Sequence, residues 1–164
     1  MLSIQSNRIQ KIKELECLEL LEELYLSHNG IEMIEGLENL KNLKILDLAG
    51  NKLKNVENLL HLNLLEDLWV ISIFHIFFFT FFFTFFTKQL NDNLIDNWKG
   101  IEKLGEIKTL QTIYLEGNPI SKDSQYRNKL TAFIPSLTQI DSTFATKNQI
   151  TSLLEKSNKS SENN

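Results

Sequence analysis

A pattern of alternating apolar residues followed by asparagine recurs along this 164-residue chain and limits its fold more than any other feature. The pattern is L-x-L-x-x-N-x-L/I, in which isoleucine can replace leucine, and its copies begin at Leu2, Leu24, Leu46 and Ile113. The asparagines of the first three copies, at positions 7, 29 and 51, are spaced by 22 residues. Self-similarity at a fixed period of this length indicates a stack of similar coils.

The chemistry of each copy predicts the geometry of its coil. In a short strand, the two apolar residues of L-x-L point to one face and the residue between them points to the other. Stacked coils pair these strands into a parallel sheet whose apolar side faces inward. The asparagine amide can satisfy backbone groups that the following turn would leave buried and unpaired. We therefore expect an α/β leucine-rich-repeat solenoid, with short parallel strands on its concave face and structural asparagines.

The carboxy-terminal part of the chain departs from the regular period and predicts a cap. The last coil, between the asparagines at 93 and 118, is 25 residues long. Tyr126, Leu130 and Phe133 then have helical spacing, and Pro135 ends that helix before one last apolar pair, Leu137 and Ile140. We expect repeats over residues 1–120, a cap over 121–146 and a disordered polar tail over 147–164. Because Leu2 already belongs to a strand, we also expect a fragment that lacks amino-terminal repeats.

A phenylalanine-rich block interrupts the repeats. Nine of the eleven phenylalanines lie between Phe74 and Phe86, where the period calls for the asparagine of the fourth copy. Omitting residues 70–89 restores a regular copy, because Leu68 is then followed by Leu90, Asn93 and Ile95. The interval from Asn51 to Asn93 is 42 residues, which becomes 22 without the 20-residue block. The block is therefore interpreted as an insertion in the middle of a strand.

Three explanations compete for this insertion. As a membrane helix, residues 70–86 are slightly short for a span of about 18–20 residues, and a crossing would separate the two halves of one sheet. As a core element, the block lacks any polar periodicity, and a repeat coil has no space for so many rings. As a retained intron or gene-model error, it begins with a codon that starts GT, continues through pyrimidine-rich Phe codons and can end in AG. We favour the third explanation, so we expect no membrane association.

Composition and motifs argue against several classes of function. The net charge of −4 is unsuited to nucleic acid as a main ligand. The single cysteine, Cys17, excludes an intramolecular disulfide, and we expect it to be a small core residue. His28, His61 and His75 are not paired with ligands at metal-binding spacing, and no phosphate-binding or nucleophile motif is present. We therefore predict no enzyme activity, no cofactor and no metal, and we expect the cytosol or nucleus.

Several segments resemble the leucine-rich-repeat regulatory subunits of protein phosphatase 1. They are LEELYLSHNGIEMIEGLENL at 21–40, LEDLW joined to LNDNLIDNW across the insertion, TIYLEGNPISKDSQYRNKL at 112–130 and IPSLTQIDSTF at 134–144. The resemblance implies a non-catalytic protein of the nucleus and cytoplasm that holds the phosphatase catalytic subunit on its concave face. It also implies that this chain corresponds to the carboxy-terminal half, and that the contacting positions are Asp47, Asp67, Trp69 and Tyr114.

The repeat pattern points to the same surface without the resemblance. The residues between the paired leucines form one predicted column, and their neighbours form another: Ser3, Tyr25, Asp47, Trp69 and Tyr114, flanked by Glu23, Ile45, Asp67 and Thr112. Carboxylates beside aromatic rings suit a basic, partly apolar partner. We predict partner binding by Tyr25 together with the four positions that the resemblance implies. The alternative is a generic leucine-rich scaffold, cytoskeletal or ciliary, with another partner.

Overall fold

The computed structural model describes residues 1–71 and 93–145, which form one sheet with its coils stacked behind it. In this described part the sheet has seven strands in sequence order, all parallel except the last pair. The strands are β1 Leu2–Ser3, β2 Glu23–Tyr25, β3 Ile45–Asp47, β4 Asp67–Trp69, β5 Thr112–Tyr114, β6 Gln139–Ile140 and β7 Thr143–Phe144. The predicted leucine-rich-repeat solenoid with short parallel strands is confirmed.

The middle residue of each three-residue strand points into the core, as the alternation of the sequence predicts. Leu24, Leu46, Leu68 and Ile113 are partners in the parallel pairing and are fully buried. The return segments of the coils supply the opposite wall of the core. In the second coil this wall is formed by Ile34, Leu37, Leu40 and Leu43, and in the long fourth coil by a 3₁₀ helix, Glu102–Glu106, that buries Leu104. One continuous apolar core therefore runs through the stack.

A ladder of buried asparagines ties each coil to the one before it. The Asn51 amide nitrogen donates to the carbonyl of Leu26 in the preceding coil, at 3.1 Å, and its oxygen accepts the Ile31 amide at 3.0 Å. The same arrangement recurs at Asn29, Asn93 and Asn118. The predicted structural role of these asparagines is confirmed. Asn7 is the exception, because it is exposed and bonds only to carbonyls of its own coil, those of Ile4 and Gln5.

The carboxy-terminal end of the core is covered by the predicted helix and two short strands. The α-helix α1, Tyr126–Phe133, follows a 3₁₀ turn, Pro119–Lys122, and buries Tyr126 and Leu130. The Tyr126 hydroxyl donates to the Asp141 carboxylate at 3.1 Å. The same carboxylate accepts the backbone amides of Leu115 and Glu116, both at 2.9 Å. These bonds join α1, the last repeat strand and the turn between β6 and β7 into one cap.

The fourth coil differs from the prediction at one position. The sequence pattern assigned the apolar position after Trp69 to Leu90, but Val70 occupies it and is fully buried. Its amide donates to the Tyr114 carbonyl at 2.8 Å, and its carbonyl accepts from the Asn118 side chain. Ile71 continues the coil by accepting the Gly50 amide, and Asn93 fills the asparagine ladder. The coil therefore closes with Val70 in the position predicted for Leu90, which lies outside the described residues.

The sequence also led to predictions about Cys17, the insertion and the carboxy-terminal tail. Cys17 is exposed, so the prediction of a core cysteine is wrong. It lies between Glu16 and Leu18, where the apolar period that buries Leu15 is not continued. The tail at 147–164 and nearly all of the insertion lie outside the described residues, and the division into repeats, insertion, cap and tail stays a prediction. Within residues 1–71 and 93–145, no helix has the length and apolar character that a membrane crossing requires.

Excision of residues 70–89 should leave the fold intact. Joining Trp69 to Leu90 puts leucine in the buried position of Val70 and restores the 22-residue interval to Asn93. We expect the shortened chain to unfold cooperatively, at a midpoint temperature no lower than that of the full chain. Circular dichroism during heating measures this. Loss of the cooperative transition would show that the insertion contributes to the folded coil.

Candidate functional site

The exposed face of the sheet carries two adjacent columns of side chains. Strand pairing aligns Ser3, Tyr25, Asp47, Trp69 and Tyr114 across β1 to β5. The second column contains Glu23, Ile45, Asp67, Thr112 and Gln139 across β2 to β6. The predicted alignment of the nine residues of β1 to β5 is confirmed, and the two columns together are called the strand face. Gln139 was not anticipated, because it belongs to the cap and not to a repeat.

Two aromatic rings dominate one end of the strand face. The Trp69 and Tyr114 rings lie 5.4 Å apart between centroids and are tilted by 56°, an arrangement that favours contact between the edge of one ring and the face of the other. Trp69 is 37% exposed and Tyr114 is half-buried. The Gln139 side chain donates a hydrogen bond of 2.6 Å to the Tyr114 hydroxyl. The cap strand β6 therefore fixes a ring pair that stays accessible to a partner.

The other end of the strand face is acidic. Tyr25 donates its hydroxyl proton to the Glu23 carboxylate at 3.2 Å, and both side chains are half-buried. The pKa of Tyr25 is raised, first by burial and then by its hydrogen bond to Glu23 and by nearby negative charge, including Asp67. Asp67 is half-buried on β4, two residues from Trp69. The strand face thus combines negative charge and exposed aromatic surface.

Asp47 differs from the other predicted contact residues, because its side chain is only 4% exposed. One carboxylate oxygen accepts the Ala49 amide at 2.9 Å, and the other accepts from the Gln5 side chain at 3.3 Å. Asp47 is therefore a buried member of the first column, and its predicted contact with a partner stays a prediction. Neighbouring coils cover it, so that it shapes the turn after β3 and the floor of the strand face.

Comparisons with known proteins agree with this architecture. The family model described as Leucine Rich repeats (2 copies) matches residues 19–61. The Drosophila melanogaster SNF/U2A' complex contains a chain that superposes with a TM-score of 0.69, covering 93% of this chain and 78% of that one, at 21% identity. At that identity the likeness shows the fold alone. The chain has the leucine-rich-repeat fold.

The leucine-rich-repeat protein is also similar to named phosphatase subunits over part of its length. Protein phosphatase 1 regulatory subunit 7 of Xenopus tropicalis is 51% identical over 51 residues, which is 31% of this chain and 15% of that protein. Protein phosphatase 1 regulatory subunit SDS22 of Schizosaccharomyces pombe is 40% identical over 60 residues, 35% of this chain and 18% of that protein. Each match therefore spans less than a fifth of the relative. The predicted resemblance to this group is confirmed over that part.

The described residues of the leucine-rich-repeat protein show no arrangement for metal chemistry. Within them, no group of three His, Cys, Asp or Glu side chains could hold a metal ion. A cavity of about 380 Å³ lies away from the strand face, between the third and fourth coils, and is lined by residues that include Leu60, His61 and Lys103. The strand face combines aromatic rings with carboxylates, and an exposed surface of mixed chemistry suits a protein partner.

The buried carboxylate of Asp47 should give the leucine-rich-repeat protein a measurable pH dependence. Burial raises the pKa of Asp47 above its ordinary 3.8, against the lowering effect of hydrogen bonds from Ala49, Ser27 and Gln5. An acid with a raised folded pKa binds its proton more tightly when folded. Its ionised form therefore lowers stability near neutral pH, and stability is regained as pH falls through the folded pKa toward 3.8.

Asp47→Asn should remove this pH dependence of stability. We expect the midpoint temperature of the unaltered chain, relative to that of the variant, to rise as pH is lowered from about 7 to about 4. Thermal unfolding at several pH values measures the difference. A difference that stays constant, or falls with pH, would contradict the inferred state of the carboxylate. Glu32→Gln, at an exposed acid in the same coil as Asn29, is the control.

Proposed function

We propose that this leucine-rich-repeat protein is a non-catalytic regulatory subunit that binds the protein phosphatase 1 catalytic subunit through the strand face, the concave side of the solenoid. The relatives that it matches are named regulatory subunits of that phosphatase, which supports both the partner and the absence of catalysis. The proposed contacts are Tyr25, Asp67, Trp69 and Tyr114. Asp47 supports them from beneath. The nucleus and cytoplasm, where the resemblance places such subunits, are the proposed locations.

One observation carries the proposal furthest: the accessible Trp69–Tyr114 ring pair with Asp67 on the same strand as Trp69. Tryptophan and tyrosine dominate the binding energy of many interfaces, because they bury large areas and lose little conformational freedom. A carboxylate beside them steers a basic surface toward the rings and increases the association rate. This combination explains why a face with a net negative character would still bind through apolar contact.

Alanine at both aromatic positions should abolish most of the binding. For Trp69→Ala, Tyr114→Ala we expect affinity for the purified catalytic subunit to fall by about 100-fold, or about 2.8 kcal/mol, because aromatic contacts often carry a large share of the binding energy. Isothermal titration calorimetry measures the affinity, and circular dichroism checks the fold.

Met33→Ala is the matched control, because Met33 is an exposed apolar residue outside the strand face. It should bind like the unaltered chain. If the unaltered chain does not bind the catalytic subunit, the proposed function is wrong and the generic scaffold with another partner is favoured. If binding persists in the double variant, the phosphatase is bound through a different surface.

A further inference from the structure

The Tyr114 hydroxyl is hydrogen-bonded to Gln139, a residue of the cap. The Gln139 amide nitrogen lies 2.6 Å from the Tyr114 hydroxyl and 2.9 Å from the carbonyl oxygen of Asp141. A carbonyl oxygen can only accept, so this contact requires the amide nitrogen, and not the amide oxygen, to be at that place. Gln139 therefore donates to the hydroxyl, and the orientation of its amide group is fixed by the backbone of its own strand turn.

A hydroxyl that accepts from an amide keeps its own proton for another acceptor. The phenol carries one proton, which must point away from the incoming N–H group. In the described part of the chain, Gln139 is the only residue that hydrogen-bonds this hydroxyl. Contact with the Trp69 ring restrains the Tyr114 ring and therefore the position of its hydroxyl oxygen, while the proton can still rotate about the C–O bond toward an acceptor. The proton is therefore available at the edge of the exposed aromatic surface.

Tyr25, in the same column, has the opposite polarity. Its hydroxyl proton is donated to the Glu23 carboxylate at 3.2 Å, so that this end of the strand face offers acceptor oxygens to a partner. The Tyr114 end offers a donor. The two tyrosines occupy equivalent positions in their strands but differ because one has a carboxylate, Glu23, and the other has an amide, Gln139, as its partner. Along the stack, the strand face therefore changes from hydrogen-bond acceptors near Tyr25 to a hydrogen-bond donor at Tyr114.

We propose that Tyr114 donates a hydrogen bond to a neutral acceptor oxygen of the bound partner, such as a backbone carbonyl, and that Gln139 is the positioning residue for this bond. A neutral acceptor is favoured over a carboxylate because Asp67 and Glu23 make the rest of the strand face negative. This inference rests on the proposed function and adds the chemistry of one contact. It also assigns a binding role to the cap, through a residue outside the repeats.

Tyr114→Phe is the direct test, since it keeps the ring pair and removes only the hydroxyl. We expect affinity for the phosphatase catalytic subunit to fall about tenfold, because a buried acceptor on the partner loses its donor. The loss should be the same at low and high ionic strength, because neither group of the proposed bond is charged. A loss that shrinks strongly with salt would overturn the neutral acceptor.

Gln139→Leu separates positioning from structural support. In the unaltered background we expect about a threefold loss of affinity, and in the Tyr114→Phe background no further loss, because the hydroxyl that Gln139 orients is already gone. Equal losses in both backgrounds would show that Gln139 only supports β6. Gln111→Leu, an exposed glutamine one residue before β5, is the matched control and should bind normally.

The outcomes distinguish this inference from the proposed function. If Tyr114→Phe binds like the unaltered chain while Trp69→Ala is weakened, the hydrogen bond is wrong and the proposed function stands. If the unaltered chain does not bind the catalytic subunit at all, both are wrong. Circular dichroism and the midpoint temperature of each variant confirm that the compared chains are folded.

Discussion

A chain carrying Asn51→Ala is expected to lose about 3 kcal/mol of its free energy of unfolding, a large part of the stability of a domain of this size. Asn51 is fully buried and bonds to four backbone groups: the Ile31 amide and the carbonyls of Leu26, Leu48 and Ala49. Each of the three carbonyls keeps another hydrogen bond, from Asn29, Asn93 and the His28 amide respectively. The Ile31 amide loses the Asn51 oxygen that accepts its hydrogen bond, so most of the lost free energy comes from this amide.

Chemical denaturation of the variant and the unaltered chain measures the loss. Asn63→Ala is the matched control, because Asn63 is exposed, and its effect should stay within about 0.5 kcal/mol. Asn51→Asp tests the mechanism further, since aspartate retains an acceptor for the Ile31 amide but cannot donate to the Leu26 and Leu48 carbonyls. A loss below about 1 kcal/mol for Asn51→Ala would mean that water or a backbone shift replaces the ladder.

The repeat pattern predicts the sheet well because each constraint acts within one coil. Leu46 and Leu48 must face inward, and Asn51 must turn into the coil, whatever the neighbouring coils contain. These positions recur every 22 residues, so each copy supports the assignment of the others. The alignment of Tyr25 with Tyr114, far apart in the chain, follows from the motif copies once the insertion and the longer, 25-residue last coil are allowed for.

Burial of polar side chains on the strand face could not be predicted in the same way. Asp47 and Trp69 occupy equivalent positions of adjacent strands, yet one is buried and the other is exposed. The difference arises because Gln5, two coils away from β3 in the stack, reaches the Asp47 carboxylate. Depth at such a position depends on side chains of other coils, which the period does not specify.

Gln139 shows a second limit of the pattern. Ile140 was recognised as an apolar residue of the cap, but its strand was not, because β6 is two residues long and has no repeat motif. The one available signal was the alternation of Gln139 with Ile140, which matches Thr112 with Ile113 in the neighbouring strand. A two-residue match is too short to be distinguished from chance. The binding role proposed for the cap therefore depends on the observed position of Gln139 beside Tyr114.

The position of the insertion is ambiguous in sequence for a physical reason. Both Val70 and Leu90 are apolar and both can follow Trp69 as the second inward residue of the motif, so the sequence fits with either. The structure uses Val70. Sequencing of the mature transcript tests the intron hypothesis directly: a message that joins the Trp69 codon to the Leu90 codon would support it, and a message that retains the 20 intervening codons would contradict it.

Gly100→Ala should lower the free energy of unfolding by about 3 kcal/mol. The main reason is overlap of the added methyl group with the backbone of Val56, and the positive φ of Gly100 is the smaller one. Glu14, Gly36, Asn58 and Gly100 occupy equivalent positions of successive coils, and all have positive φ. Since glutamate and asparagine are accepted at φ values of 62° and 61°, the left-handed conformation alone is tolerated there. At Gly100, however, an added Cβ would lie 2.0 Å from the Val56 carbonyl oxygen and 2.9 Å from its carbon.

To relieve that overlap, the third and fourth coils must move apart, and this weakens the close backbone packing between them. Glu14→Ala is the control, because it places the same side chain at an equivalent, exposed position and should change stability by less than about 1 kcal/mol. Urea denaturation of the two variants gives the comparison. Equal losses at both positions would show that φ is the main cost, whereas a loss confined to Gly100 shows that the close approach of the Val56 carbonyl excludes a side chain at this position.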